Sequence, residues 1–200
     1  MPAKEKYNRA SKNYDLFEAP IEKLLFARLR RSVLPSVTGK VLEVGIGTGK
    51  NLPYYSNTVD LTGIDFSSGM LARAKQQLAT ADCSDVQLLE MDAQELGFND
   101  HSFDATISTF VFCTVPDPHL GLKNVHRVLK TGGRAIFIEH MKTDYWIVNL
   151  FLKSMDFFST RMLGTSMIRE TEKNILAAGF RIEKVTRYLF GVVRIIVAAK

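Results

Sequence analysis

Leu42-Glu43-Val44-Gly45-Ile46-Gly47-Thr48-Gly49 is the stretch that decides how this chain folds. An apolar run beginning at Lys40 ends here in three glycines at alternate positions. A strand therefore passes into a loop whose backbone turns sharply and approaches a ligand without a Cβ in the way. Two phosphate-binding patterns are excluded. A Walker loop needs Gly at position 44 and Ser or Thr after the lysine, where Val44 and Asn51 stand. A dinucleotide fingerprint needs its third glycine at position 50, where Lys50 stands, and the Glu43 carboxylate before the loop repels a pyrophosphate.

Outward from the loop, short apolar runs alternate with helical patterns, as in a parallel sheet covered on both faces. Strands are predicted over 40–45, 59–65, 86–90, 103–109 and 134–139, bounded by Gly, Asp, Asn or Ser. A helix over 67–80 carries Met70, Leu71, Ala74 and Leu78 at helical spacing. Asp117-Pro118 reads as an N-cap and first helical position, opening a helix that runs through Leu129 to a Gly132-Gly133 stop. Helical stretches over 144–163 and 169–178 follow, then two runs, 180–189 and 192–199, that form a hairpin. The expected fold class is α/β: a Rossmann-like, seven-stranded, mostly parallel sheet of crossover-linked strands with a terminal antiparallel hairpin and an N-terminal helical lid.

A length of 200 residues favours one domain, and 46% hydrophobic with 24% charged residues is an ordinary globular composition. Within it we distinguish an N-terminal helical lid (1–35), a cofactor-binding core (36–140), an acceptor-side helical insertion (141–170) and a terminal helix with hairpin (171–200). Cys83 and Cys113 lie far apart with no CxxC and no histidine at ligand spacing, which indicates neither zinc nor a disulfide framework and fits a cytoplasmic setting. No apolar leader opens the chain, and no run of 18 apolar residues occurs. The net charge of +5 concentrates at the front, where Lys4, Lys6, Arg9, Lys12, Lys23, Arg28, Arg30 and Arg31 outnumber Glu5, Asp15, Glu18 and Glu22. With no aromatic-interleaved basic groove, this asymmetry points to the anionic inner face of a membrane rather than to nucleic acid.

An acid just before the loop suits a ligand with positive charge at its amino-acid end, and S-adenosylmethionine carries both an ammonium and a sulfonium. Glu-x-Gly-x-Gly-x-Gly over 43–49 resembles motif I of the class I S-adenosylmethionine-dependent methyltransferases. Asp65 at the end of the second strand, followed by Phe66 and Met70, resembles the second motif. Glu90-Met91-Asp92-Ala93 resembles the third. Matches continue through residues 98–104 and 128–133, and together cover roughly residues 36 to 140 in order. The resemblance implies S-adenosyl-L-methionine as cofactor, held by Glu43, Gly45, Gly47, Thr48 and Gly49, by Asp65 at the ribose under Phe66 and Met70, by Asp92 and Ala93 at the adenine amine, and by Ser108 and Phe110 beyond the fourth strand.

The acceptor pocket is expected at the carboxyl ends of the strands. His140, directly after the fifth strand, is the candidate base. Tyr14 and Tyr7 belong to a segment similar to the Tyr-Asp lead of quinone and phospholipid methyltransferases, where Tyr14 is a catalytic and Tyr7 a substrate-binding candidate. Residues 145–163 are too widely apolar to face only a small sheet: Asn149, Lys153, Asp156 and Thr160 fall on one narrow stripe, whereas Trp146, Ile147, Leu150, Phe151, Leu152, Met155, Phe157, Phe158 and Met162 occupy far more than one core-facing side. This segment can line a hydrophobic channel, rest in a bilayer interface or form a dimer contact. The whole chain resembles the group of bacterial phospholipid N-methyltransferases, quinone C-methyltransferases and thiol-methylating relatives. That implies a lipophilic small-molecule or phospholipid acceptor, with Trp146, Arg161 and Arg169 as substrate-binding candidates.

Overall fold

Burial on both faces is what the strand sequences demand, and five strands meet that demand by pairing in parallel: β1 (Lys40–Val44), β2 (Asp60–Asp65), β3 (Val86–Glu90), β4 (Phe103–Thr109) and β5 (Leu129–His140). The computed structural model describes residues 5, 7, 8, 25–79, 86–162, 165, 166 and 168–200, so Tyr14 and Cys83 lie outside the described residues, as do Lys4, Lys6, Arg9, Lys12 and Lys23. Alternate residues of each strand feed opposite layers. Leu42, Val44, Phe103 and Phe137 pack on one side with Leu122 and Val125, whereas Val41, Leu61, Ile107 and Ile138 pack on the other with Leu29 and Leu71.

The strand order is β3-β2-β1-β4-β5-β7-β6. The chain steps outward from β1 to β3 and then returns to the opposite side of β1. The loops after β1 and β4 therefore part, leaving a crevice at the carboxyl ends of those strands. Helix α1 (Ala27–Val33) precedes β1. Helix α2 (Ser68–Leu78) starts where Ser67 Oγ accepts the Met70 N–H at 3.2 Å. Helix α3 (Pro118–Val128) starts where the Asp117 carboxylate accepts the Leu120 N–H at 3.0 Å, with Pro118 in the first helical position.

Two expectations need correction. Helix α3 ends at Val128, not at Gly132-Gly133, and β5 begins at Leu129 rather than at Arg134. Leu129 is extended, with φ −74° and ψ 136°, fully buried and in register with Phe103. Continuing the helix would pull this side chain out of the core, so tertiary burial wins over the helical period. Nor does a helix bridge β3 and β4. Residues 91–102 are irregular, and Arg127 of α3 organises them, donating to the carbonyls of Leu96 and Phe98 at 2.7 Å each and to Asp100 at 2.8 Å.

Beyond β5 come α4 (Trp146–Met162), α5 (Thr171–Ala177), β6 (Arg181–Tyr188) and β7 (Val193–Ala199). Strand β7 is antiparallel to both β5 and β6 and completes the seven-stranded sheet. Buried Arg194 fastens this end, donating to Glu172 of α5 at 2.6 Å and to the carbonyls of Lys142 and Gly191 at 2.9 Å. Among the described residues no helix is long and apolar enough to cross a membrane.

Candidate functional site

The loop leaving β1 keeps its first contact with the sheet through the Ile46 N–H, which donates to the Ile64 carbonyl at 2.9 Å. Gly45 has φ +67°, and a Cβ there would stand 2.4 Å from Val111 Cγ2. Gly47 has φ +58° but open space around it. A side chain at Gly45 thus meets both a left-handed backbone and the facing wall, whereas at Gly47 it meets only the backbone cost of about 1–2 kcal/mol. Gly45→Ala is expected to weaken cofactor binding about tenfold or more and to exceed Gly47→Ala, as isothermal titration on the two folded variants will show.

A cavity of about 370 Å³ opens over this loop, a size within the usual range of small-molecule sites. Glu43, Gly45, Gly47, Thr48, Asp65, Phe66, Met70, Asp92, Ala93, Phe110 and Tyr7 all line it. Arg30, Asn51 and Met91 also line it and were not anticipated.

Glu43 is 2% exposed. Its Oε1 accepts from Asn51 Nδ2 and its Oε2 from the Tyr55 hydroxyl, both at 2.8 Å, and Arg30 Nε in turn donates to Asn51 Oδ1 at 2.6 Å. Burial pushes the Glu43 carboxyl up to about 7, against the downward pull of Tyr55, Asn51 and Arg30; nearby Asp65 adds to the rise. Each oxygen keeps a second lone pair for a cationic group. Asp65, at the end of β2, accepts the Gly47 N–H at 3.0 Å and the Ser67 N–H at 2.9 Å. Burial raises it to about 6, opposed by those two hydrogen bonds. One carboxylate thereby couples the glycine loop to the start of α2. Asp92 is exposed, and its Oδ1 accepts the Gln94 N–H at 2.8 Å.

Across the cavity, Phe110 directly follows β4 at φ +57°, a strained conformation for a residue with a side chain, and its N–H donates to the Ile138 carbonyl at 2.8 Å. Glu139 holds the next turn: its Oε1 accepts the N–H groups of Val111 and Phe112 at 3.0 and 3.1 Å and the Ser108 hydroxyl at 3.4 Å. Full burial raises Glu139 to about 7. Tyr7 closes the cavity over Phe66, ring centroids 5.5 Å apart, and its hydroxyl bonds Thr165 Oγ1 at 3.0 Å. Neighbouring Asn8 accepts from Ser67 Oγ at 2.6 Å and from the Gly69 N–H at 3.0 Å.

Several expected contacts fall outside the cavity wall. Gly49 packs toward Ala74 of α2, and Ser108 is buried and turned to Glu139. The His140 ring rests 5.8 Å from that of Phe110, and His140 is not among the residues that line the cavity. Arg169 stands behind the wall, donating to the Val115 carbonyl at 3.2 Å. Trp146 and Arg161 are exposed on α4 and are not among the residues that line the cavity.

The donor set fits S-adenosylmethionine: two buried carboxylates for a cationic, hydroxyl-bearing ligand, a wall of Phe66, Met70 and Met91 for a flat ring, and a loop whose facing residue leaves no room for a Cβ. The methyltransferase domain family matches residues 42–137. The chain is 36% identical over 140 residues to a phosphatidylethanolamine N-methyltransferase of Cereibacter sphaeroides, covering 68% of this chain and 69% of that one. It is 41% identical over 104 residues to a demethylmenaquinone methyltransferase of Staphylococcus aureus, covering half of this chain and 42% of the relative's length. A solved S-adenosylmethionine-dependent methyltransferase from Thermotoga maritima shares the fold at a TM-score of 0.77 and 19% identity, over 98% of this chain and 99% of that one. The chain belongs to the S-adenosylmethionine-dependent methyltransferases, and S-adenosylmethionine is its cofactor.

Proposed function

We propose that this methyltransferase acts on a lipophilic acceptor and that the acceptor is the amine of phosphatidylethanolamine. The observation that carries the reading is the wall opposite the glycine loop, where Phe110, Val111, Val115 and Pro116 face the cavity and only the hydroxyls of Thr109 and Thr114 interrupt them. Similarity to the phosphatidylethanolamine enzyme of Cereibacter sphaeroides supports it. When bound, S-adenosylmethionine supplies a methyl group on a sulfonium, open to in-line displacement by a lone pair.

In this reading Glu43 faces the cofactor's ammonium, Asp65 the ribose and Asp92 the adenine amine, while Tyr7 covers the site. The apolar wall strips water from the amine and aligns its lone pair. His140, beside Phe110, receives the proton that an ammonium must lose before it can attack; Tyr14, outside the described residues, is the second catalytic candidate. A quinone ring carbon is the second reading, favoured by the identity to the Staphylococcus aureus enzyme. It needs a well-placed base at the ring carbon, whereas a neutral amine needs mainly desolvation and alignment.

Radiolabelled cofactor, offered with separate pools of phosphatidylethanolamine, demethylmenaquinone and a hydrophobic thiol, should label the first. Label only in the quinone or thiol overturns the assignment. In single turnover, His140→Ala should slow amine methylation about tenfold or more at pH 7 and recover at a pH where the amine is neutral unaided. An unchanged rate at pH 7 removes His140 from the chemistry.

A further inference from the structure

Outside the cavity, but at the same end of the sheet, an apolar surface faces outward. At about 100° per residue, Trp146, Leu150, Ile147, Phe151 and Met155 of α4 fall within one arc of about 180°. All are exposed, from Met155 at 44% to Trp146 at 74%. The opposite side of α4 faces the protein: Leu152 is buried, and the Asn149 amide both accepts from the Thr143 N–H at 2.9 Å and donates to its carbonyl at 2.6 Å. This amphipathic helix is turned with its apolar side out.

A second, distant segment adds to the same surface. The turn between β6 and β7 holds Leu189 and Phe190 at φ +48° and +56°, exposed by 50% and 74%. The Phe190 ring meets that of Tyr145 at 6.1 Å, and the Thr143 hydroxyl donates to the Phe190 carbonyl. Two left-handed residues with large apolar side chains cost about 1–3 kcal/mol each. Such a turn, together with an outward apolar helix, marks an interaction surface rather than ordinary solvent exposure.

We propose that this face, α4 from Trp146 to Met155 with the Leu189–Phe190 turn, seats the protein in the interface of an anionic bilayer and brings the cavity mouth to the membrane. The inference rests on the phospholipid reading above. Charge selects the occupant: exposed Lys153 and Arg161 lie on α4 and exposed Arg187 precedes the turn, against Asp144 and Asp156, while Lys142 is already paired with Glu170 at 3.7 Å. A second copy docked about a two-fold axis would set those basic groups against themselves, whereas anionic headgroups neutralise them. Tyr145 and Trp146, apolar rings with a polar tip, suit the headgroup boundary. Just past α4 in sequence, the Ser166 N–H donates to the Cys113 carbonyl at 2.9 Å and Thr165 Oγ1 bonds the hydroxyl of Tyr7, which lines the cavity, at 3.0 Å.

Trp146 is the only tryptophan, so its emission reports on this surface alone. The full chain is titrated with vesicles of phosphatidylcholine and with vesicles of equal parts phosphatidylcholine and phosphatidylglycerol. The anionic vesicles should shift Trp146 emission to the blue, brominated acyl chains should quench it, and high salt should weaken binding. The double variant Phe151→Ser, Phe190→Asn, which leaves the probe in place, should lose the shift yet keep transfer to detergent-dispersed phosphatidylethanolamine. Emission unchanged at saturating anionic lipid overturns the inference, as does a dimer in sedimentation with Trp146 already buried without lipid. The two readings fail separately: vesicle binding without label in any lipid sinks the acceptor, and label in dispersed lipid without a Trp146 response sinks the surface.

Discussion

Asp65→Ala is expected to weaken S-adenosylmethionine binding by about 100-fold or more, roughly 3 kcal/mol, while leaving a folded protein. The carboxylate does two things at once. It accepts the N–H groups of Gly47 and Ser67, which fixes the glycine loop against the start of α2, and it lines the cavity where hydroxyls of the cofactor are expected. Hydrogen bonds to a charged acceptor are worth about 1.5–3 kcal/mol each, and removing the acceptor leaves two backbone donors at the edge of a buried site. Asp65→Asn keeps one acceptor oxygen but turns an N–H₂ toward the other donor, so it should fall between wild type and Ala. Isothermal titration gives the affinities, and circular dichroism shows that the fold survives. An Asp65→Ala affinity within about threefold of wild type would remove Asp65 from cofactor recognition.

The second large effect is a stability that falls as pH rises. In the unfolded chain Glu43 and Glu139 titrate near 4.5 and Asp65 near 3.8; in the fold, burial raises them to about 7, 7 and 6. Between those values the folded protein holds protons that the unfolded chain has released. The stabilisation is full below the unfolded values, declines as pH rises through the folded values, and levels off above about 7. The upper bound for Glu43 alone is roughly 3 kcal/mol. The cofactor-free protein should therefore melt several degrees lower at pH 8 than at pH 5, and Glu43→Gln should flatten the slope. Cofactor binding runs the other way, because a cationic ligand favours the ionised Glu43. Affinity should rise with pH up to about 7, with proton release measurable by titration in buffers of different ionisation enthalpy. A melting temperature that climbs steadily from pH 5 to pH 8 would contradict the buried-carboxylate arrangement.

Much of the fold was legible because its signals are local. Ser67 and Asp117-Pro118 announce helix starts through side-chain chemistry acting within three residues, and both caps form. Leu129 misleads because its helical spacing is real, but the cavity that it fills, beside Phe103, is made by a strand 26 residues away. The core of the site was legible for the same reason as the caps. Glu43, Gly45, Gly47, Asp65 and Asp92 sit at strand ends, where a parallel sheet brings successive loops together. Their supporting residues were not. Asn51 enters the sequence reading only as the residue that breaks a Walker pattern, yet its amide links Arg30 to Glu43. Glu139 gains its purpose from the N–H groups of Val111 and Phe112, about 27 residues away in sequence.

By itself the sequence determined the class of fold, the cofactor and the side chains gathered at the strand ends, because hydrophobic period, turn chemistry and glycine spacing act over a few residues. Tertiary structure alone decided how those groups are charged, which of them reach the cavity and which way α4 faces. The apolar breadth of residues 145–163 was plain in the chain. That its wide apolar side turns away from the protein, to meet Phe190 from the far end of the sequence, follows only from how β5, β7 and the segment around Thr143 pack together. Burial, exposure and the titration of a carboxylate are properties of neighbours, and neighbours distant in sequence exist only once the chain has folded.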